Sequence, residues 1–254
     1  MIFETHAHYE DEAFNEDRDE LLTKLPSRGI EYVVNVSSSV DSVDRVLALA
    51  EKYSYIYGAV GIHPEAAKEL SEERFGWLKQ RVRHPKNVAV GEIGLDYYWD
   101  TSDRATQKLW FERQMELAKE VKLPLIIHSR DAANDTFQML KDANADSIGA
   151  IIHCFGYGVE QARQYLNLGF YLGIGGVLTF KNARKLKEVV TYAPLESLVL
   201  ETDCPYLAPV PFRGKRNDST LLTYVAEEIA HLKNVDIDTV VRITAENAKH
   251  FYKI

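Results

Sequence analysis

The sequence has very little cysteine and no long apolar stretch. Cys154 and Cys204 are the only cysteines among 254 residues, which is too few for a disulfide framework. No apolar run approaches the ~20 residues that a membrane-spanning helix needs, and residues 1–4 lack the basic and apolar segments of a secretion signal. We therefore expect a protein of the reducing cytoplasm that has no membrane partner.

The chain also lacks an excess of positive charge. It has 30 Lys and Arg residues against 38 Asp and Glu residues, a net charge of -8. A protein that coats nucleic acid through bulk electrostatics has the opposite balance. An enzyme with a metal centre needs only a local positive field, which divalent ions supply. The charge therefore argues against a coating role and leaves a metal-dependent enzyme open.

Low-complexity tracts, linkers and sequence repeats are absent as well, and what repeats is the type of element. Short apolar or β-branched runs alternate with longer segments of helical period, which is typical of βα units around a parallel sheet. The predicted strands are Ile2–His6, Tyr32–Val36, Tyr55–Ile62, Val88–Ile93, Leu125–His128, Gly149–His153, Phe170–Ile174 and Ser197–Thr202. The predicted helices are Val43–Tyr53, Glu72–Arg83, Arg104–Val121, Ala132–Ala143, Glu160–Leu168, Ala183–Tyr192 and Leu221–Leu232, with Thr239–Phe251 as a last helix that seals the barrel.

This alternation predicts an α/β fold, a (β/α)8 TIM barrel. Barrels of this class contain about 250 residues in one domain. We therefore expect a single domain over residues 1–254, with an extra helix at the C-terminus.

Five of the eight histidines lie at the C-terminal ends of predicted strands, namely His6, His8, His63, His128 and His153. Barrel enzymes build their active sites at that face, where the loops vary without disturbing the interior. Histidines that only fill space in the core would not select one end of the strands. The clustering predicts a metal-binding active site.

The first strand ends in His6-Ala7-His8. Since side chains of a strand alternate between its two faces, both imidazoles should point into the barrel mouth and Ala7 away from it. Two imidazoles from one strand suit a transition metal better than an all-oxygen magnesium site. The alternative is a pair of solvated loop histidines.

Two carboxylates complete the predicted site. Val88, Val90 and Glu92 should share one face of the fourth strand, which directs Glu92 into the mouth, where a carboxylate needs a cation or hydrogen bonds. Its two oxygens can bridge two cations. Asp203 follows the eighth strand and should point the same way, where it can bind a metal and accept a proton from the attacking water.

Four further residues lie beside these positions. Glu4 and Glu201 are expected two residues deeper than His6 and Asp203, where each either orients a ligand or forms a buried salt bridge. Cys154 and Cys204 directly follow His153 and Asp203, so alternation directs them away from the mouth and predicts a packing role.

Substrate contacts are predicted at three places near the mouth. The basic residues expected to bind phosphate are Arg130, Arg213, Lys215 and Arg216, with a solvated basic loop as the alternative for the last three. Residues 97–99, Tyr-Tyr-Trp, either stack on an exposed base or pack on the barrel rim.

Six segments in order along the chain resemble the motifs of the TatD family of metal-dependent deoxyribonucleases. They are Glu4–His8, Gly61–Glu65, Gly91–Asp96, Pro124–Ala132, His153–Phe155 and Glu201–Leu207, and Arg213–Asn217 resembles the loop that follows. The resemblance implies a barrel of the amidohydrolase superfamily with 3′-to-5′ exonuclease activity on DNA. By position it implies one metal at His6, His8, Glu92 and Asp203, another at Glu92, His128 and His153, and His63 near the scissile phosphate. Glu4 departs from the Asp that usually begins the first motif.

Two-metal hydrolysis of single-stranded DNA is the predicted activity. Cations about 3.5–4 Å apart lower the pKa of a shared water toward neutrality, Asp203 takes its proton, and His63 or His153 donates a hydrogen bond to phosphate. The donor set accepts two divalent ions per chain from among Zn, Mn, Mg, Fe and Ni. We expect a monomer without a protein partner.

Two other functions are left open by the sequence. The same metals would activate water for attack on amides or esters of small molecules, and a catalytically silent barrel could serve as a binding scaffold. Convergence of Arg130, Lys215 and Arg216 on the metals would favour a phosphate substrate.

Overall fold

The computed structural model describes residues 1–99 and 101–254. Within these residues the strands are β1 (Ile2–Ala7), β2 (Ile30–Val36), β3 (Ile56–Ala59), β4 (Asn87–Asp96), β5 (Leu125–Arg130), β6 (Ala150–Ile152), β7 (Tyr171–Ile174) and β8 (Leu198–Leu200). The helices are α1 (Arg18–Lys24), α2 (Val40–Lys52), α3 (Glu72–Arg81), α4 (Arg104–Val121), α5 (Ala133–Asp142), α6 (Val159–Asn167), α7 (Arg184–Tyr192), α8 (Leu222–Lys233) and α9 (Ile237–Tyr252). None of the helices in these two segments has the length and apolar character to cross a membrane.

The strands follow one another around the sheet in chain order, and every neighbouring pair is parallel. Backbone contacts beyond the end of β8 join it to β1, where the Asp203 N–H donates to the His6 carbonyl at 3.0 Å and the His8 N–H donates to the Cys204 carbonyl at 2.9 Å. The predicted (β/α)8 barrel is confirmed. All carboxyl ends of the strands consequently meet at one face.

The last helix, α9, covers the opposite end of the barrel. Phe251 and Tyr252 join the interior cluster, with the Tyr252 ring stacked on Phe3 at a centroid distance of 5.7 Å. The Asn247 amide donates to the carbonyls of Leu195 and Leu198 at 2.9 and 2.8 Å, which holds α9 against the start of β8. The predicted sealing helix is confirmed, and it lies at the end of the barrel opposite the mouth.

The side-chain alternation of two strands is interrupted, contrary to the sequence prediction. In β4 the register to β5 shifts between Val90 and Ile93. Val90 therefore packs in the core between the strands and the helices, and it does not share a face with Glu92, which points into the mouth. In β1 a shift between Glu4 and Ala7 directs the Glu4 side chain toward Ser219 instead of placing it below His6. Each irregularity adds a residue to one strand and thereby changes which face the later side chains occupy.

One helix, α1, is absent from the sequence prediction. Its seven residues bury only Leu21 and Leu22 and are otherwise charged or polar. Two adjacent apolar residues do not make a helical stripe.

The anchoring of α9 generates a stability prediction. Asn247→Ala removes the donor of two buried carbonyls and should lower the free energy of unfolding by about 1–3 kcal/mol. Glu246→Ala, at an exposed position of the same helix, should change it by less than ~0.5 kcal/mol. Urea unfolding followed by circular dichroism measures both, and equal effects would contradict the anchoring role of Asn247.

Candidate metal centre

The carboxylate of Glu92 lies in the middle of the barrel mouth and is surrounded by imidazoles. Its Oε2 is 3.4 Å from His6 Nε2 and 4.0 Å from His8 Nε2. Its Oε1 is 2.9 Å from His128 Nδ1 and 3.7 Å from His153 Nε2. The two oxygens therefore face two different sets of imidazoles, although the Glu92 side chain is only 5% exposed.

Asp203 closes the side of the mouth next to β1. Its Oδ1 lies 3.3 Å from His8 Nε2, 3.9 Å from His6 Nε2 and 3.8 Å from His153 Nε2. The residue adopts a left-handed backbone with φ 59°, a conformation that is uncommon outside glycine and that Asp tolerates better than most residues. Six side chains thus converge, and we call them the metal cup: His6, His8, Glu92, His128, His153 and Asp203.

The outer nitrogens of two imidazoles are held so that their inner nitrogens face the cup. His8 Nδ1 donates to the Val36 carbonyl at 2.8 Å, and His153 Nδ1 lies 3.1 Å from Glu201 Oε2. Gly173 on β7 leaves room for Glu201, since a Cβ there would lie 2.2 Å from Glu201 Oε2. A proton on Nδ1 leaves the Nε2 lone pair free for a metal.

His128 is held between two carboxylates. Its Nδ1 contacts Glu92 Oε1 and its Nε2 contacts Asp96 Oδ2, both at 2.9 Å. The close approach of β4 and β5 depends on Gly94, which has φ 145° and where a Cβ would lie 2.0 Å from the His128 carbonyl oxygen. Asp96 belongs to the motif Gly91–Asp96, but its contact with His128 is not predicted from the sequence. Its place on the strand of Glu92, four residues further along, is the feature of the sequence that indicates a role at the mouth.

His63 differs from the other imidazoles of the mouth. Its Nε2 is 3.8 Å from Glu92 Oε1, within ligand range of Glu92 and His128. The Glu65 N–H donates to its Nδ1 at 3.2 Å. Burial, reinforced by His128, lowers the pKa of His63 to about 3, so the ring is neutral and its proton lies on Nε2. His63 consequently presents a hydrogen-bond donor to the mouth.

Glu4 lies behind the cup and forms no salt bridge in the residues that the structure describes. Its Oε1 accepts the backbone N–H of His6 at 3.1 Å and that of Thr202 at 2.9 Å, and its Oε2 accepts the Ser219 hydroxyl at 2.9 Å. Burial raises the pKa of Glu4 to about 8, although these bonds oppose the shift. Of the two roles left open by the sequence, the contacts favour orientation of the strand ends.

The charges of the cup balance one another through protonated imidazoles. Burial favours the neutral form of every group, but the charges of His153 and other imidazoles hold the pKa of Glu92 well below its usual range. Burial also opposes protonation of His153, yet Glu201 and Glu92 raise its pKa to about 10. In the same way Asp96 and Glu92 raise the pKa of His128 to about 9. Protons thus occupy positions where a cation would replace them on binding.

The donors of the cup suit divalent metal ions. Imidazole nitrogen and carboxylate oxygen are the ligands of zinc and other first-row transition metals. His6 Nε2 and His8 Nε2 lie 3.1 Å apart, and both face the oxygens of Glu92 and Asp203. Such a cluster of nitrogen and oxygen atoms, most of them buried, fits a bound cation, whose charge compensates the carboxylates.

A family model described as TatD related DNase matches residues 3–253 of the chain. The chain belongs to this family. It is 45% identical to the uncharacterized metal-dependent hydrolase YabD of Bacillus subtilis over the full length of both proteins. It is 31% identical to the uncharacterized metal-dependent hydrolase YcfH of Escherichia coli K12, covering 100% of the chain and 96% of the relative. The crystal structure of the TatD homolog YjjV from Escherichia coli K12 superimposes with a TM-score of 0.94 at 30% identity, covering 100% and 98% of the two chains. The predicted resemblance is confirmed, and this TatD-family protein is a metal-dependent hydrolase.

The basic residues predicted to bind substrate do not all turn toward the cup of this TatD-family barrel. Arg130 lies at the mouth. Burial raises the pKa of Glu65 there, and the positive charge of Arg130 counteracts part of that rise. Arg213 packs on the Phe180 ring at 4.5 Å, and Lys215 is exposed on the same loop.

Arg216 is engaged elsewhere. Its guanidinium forms a bidentate pair with Asp17 at 2.7 and 2.6 Å and donates to the Ala13 carbonyl at 2.8 Å. This contact joins the loop after β8 to the start of α1, which explains Arg216 without a substrate. The convergence expected for Arg130, Lys215 and Arg216 is therefore incomplete.

The three aromatic residues after Asp96 divide between the two roles left open by the sequence. Tyr97 donates its hydroxyl to Asp135 at 2.6 Å and carries the Arg104 guanidinium on its ring, so it packs on the rim. Tyr98 and Trp99 are each 55% exposed.

The two cysteines also differ from each other. Cys204 is fully buried, as a packing role predicts. Cys154 has a left-handed backbone with φ 44°, which breaks the alternation on which its predicted direction rested. Burial, and then the carboxylates of Asp203, Glu201 and Glu92, raise the pKa of its thiol far above the usual range, so it remains a protonated neighbour of the cup.

The Glu201 contact generates a prediction for metal affinity. Glu201→Gln weakens the acceptor that orients His153 and should lower the affinity for Zn²⁺ or Mn²⁺ by roughly 10- to 100-fold. Isothermal titration calorimetry on metal-free protein measures the change. Glu196→Gln, at an exposed position before β8, is the matched control, and an unchanged affinity of Glu201→Gln would refute the orienting role.

Proposed function

We propose that the protein is a two-metal deoxyribonuclease that removes nucleotides from the 3′ end of single-stranded DNA. The observation that carries the proposal is the division of Glu92, whose Oε2 faces His6 and His8 while its Oε1 faces His128 and His153. A carboxylate with one oxygen in each of two donor sets is suited to bridge two cations.

The residues that would hold the cations form two sets. One consists of His6, His8, Glu92 and Asp203, and the other of Glu92, His128 and His153. Bound there, divalent ions would lower the pKa of a water molecule and neutralise the charge that grows on the phosphoryl oxygens.

Asp203 is the group that accepts the proton of the attacking water. Its side chain is 20% exposed, compared with 5% for Glu92 and 0% for Glu201, so a water can reach it. Burial alone would raise the pKa of Asp203, but the hydrogen bond from His8 and the charge of His153 outweigh it and lower the pKa. The carboxylate is therefore ionised and can accept a proton. His63, with its proton on Nε2, donates to a phosphate oxygen from the other side of the mouth.

The family supports the nuclease over other hydrolases in this proposal. The name of the matching family model refers to DNase activity, and Arg130 places a cation beside the cup, where guanidinium suits phosphate. A hydrolase of small neutral amides would have no need of that cation.

The role of His63 gives a first test. His63→Ala should lower kcat roughly 10²- to 10³-fold, as expected when one preorganised donor to an oxyanion is removed, while the metal content remains that of the wild type. Plasma mass spectrometry of the purified variant measures the metal, and His128→Ala, which removes a cup residue, is the comparison that should lose it. Metal loss in His63→Ala would show that His63 is a ligand instead.

Chelation and add-back on a 5′-labelled single-stranded oligodeoxynucleotide tests the activity itself. EDTA should abolish cleavage, Mn²⁺ or Zn²⁺ should restore it, and the product should be a ladder that shortens progressively from the 3′ end. Glu92→Ala and Asp203→Ala should each reduce the rate at least ~10²-fold.

Two controls make this assay decisive. Asp44→Ala, on the exposed side of α2, should cleave at the wild-type rate, and a 3′-phosphorothioate end should block the ladder. Cleavage by Glu92→Ala at the wild-type rate would place the activity outside the cup. Hydrolysis of dipeptides or carboxylic esters without cleavage of DNA would favour the small-molecule hydrolase.

A further inference from the structure

Tyr98 and Trp99 form an exposed aromatic pair on the rim between β4 and α4. Their rings are nearly perpendicular at a centroid distance of 5.0 Å, and each residue is 55% exposed to solvent. A single exposed aromatic residue is common, but adjacent exposed apolar side chains that form one patch more often mark a site for a ligand or a partner. The structure as described gives these two rings no covering element.

Arg130 lies against both rings. Its guanidinium carbon is 4.0 Å from the Tyr98 ring centroid and 5.5 Å from that of Trp99. Arg130 stands two residues after His128, at the end of β5. The result is a surface of two aromatic rings and one cation beside the metal cup, which is the combination that binds the bases and phosphates of single strands.

One carboxylate attaches this surface to the cup. Asp96 Oδ1 accepts the backbone N–H groups of Tyr98 and Trp99, each at 2.9 Å, while its Oδ2 contacts His128 Nε2 at 2.9 Å. The Tyr97 N–H donates in addition to the Arg130 carbonyl at 2.9 Å. The aromatic pair and the His128 side of the cup are therefore held in a common orientation.

We propose that Tyr98, Trp99 and Arg130 form a nucleobase-binding platform, on which an unpaired base of the strand stacks while its phosphate lies in the metal cup. The proposal rests on the proposed function and deepens it. A base inside a duplex is already stacked on its neighbours and has no free face, so the platform selects single-stranded ends. Since stacking depends on the π face common to all bases, the platform confers little sequence preference.

Two substrates with the same leaving group separate the platform from the chemistry. Thymidine 5′-(4-nitrophenyl phosphate) contains a base, whereas methyl 4-nitrophenyl phosphate does not. Tyr98→Ala/Trp99→Ala should lower kcat/KM for the thymidine ester at least ~10-fold, within the range of one lost base–aromatic stack, and leave that for the methyl ester unchanged. Tyr98→Phe/Trp99→Phe should keep most of the activity on both.

Binding without turnover gives an independent measurement. In EDTA, fluorescence anisotropy of labelled single-stranded oligo(dT) should show at least ~10-fold weaker binding by Tyr98→Ala/Trp99→Ala than by the wild type. Tyr192→Ala, an exposed tyrosine at the end of α7, is the matched control and should bind like the wild type. A blunt duplex should compete poorly.

The outcomes distinguish the two proposals. Equal loss on both esters, or no loss on either, would overturn the platform while leaving the nuclease intact. A wild type that hydrolyses neither ester and does not cleave DNA would overturn the proposed function. In that case unchanged oligo(dT) binding by the alanine variant would overturn the platform too.

Discussion

A carboxylate that is almost fully buried among imidazoles is the constraint around which the rest of this structure is arranged. A charge such as that of Glu92 is costly in a protein interior unless opposite charges and hydrogen bonds compensate it. Here His6, His8, His128 and His153 provide that compensation within 4.0 Å. Neighbouring carboxylates raise the pKa values of His128 and His153, so these rings hold protons where cations would bind. Binding of metal and release of protons are therefore coupled.

The barrel brings these residues together, and the groups behind the cup direct them. Because all strands are parallel, side chains from β1, β4, β5, β6 and β8 reach one face although they are up to about two hundred residues apart in sequence. Val36, Asp96 and Glu201 then hold the outer nitrogens of His8, His128 and His153. Residues such as Gly94 and Gly173 provide the space for these contacts, so the backbone around the cup is as specific as its ligands.

The sequence was sufficient for the barrel and for the convergence of the cup, because both follow from repeated patterns. The alternation of strand and helix predicted the topology, and the position of histidines at strand ends predicted the mouth. What it could not predict depends on single backbone irregularities or on distant partners. Register shifts decide on which face of their strands Val90 and Glu4 lie. The direction of the Cys154 side chain depends on the left-handed backbone of that residue. The pairing of Arg216 with Asp17 joins residues 199 positions apart, which a cluster of basic letters does not reveal.

We propose that the cup holds cations at two places that share Glu92. Anomalous diffraction from crystals grown with Mn²⁺ or Zn²⁺ tests it most directly, because the peaks locate the metals without reference to activity. Two peaks are expected, one among His6, His8, Glu92 and Asp203 and the other among Glu92, His128 and His153. Peaks confined to the protein surface, or a mouth without a peak at a metal concentration that supports hydrolysis, would contradict it.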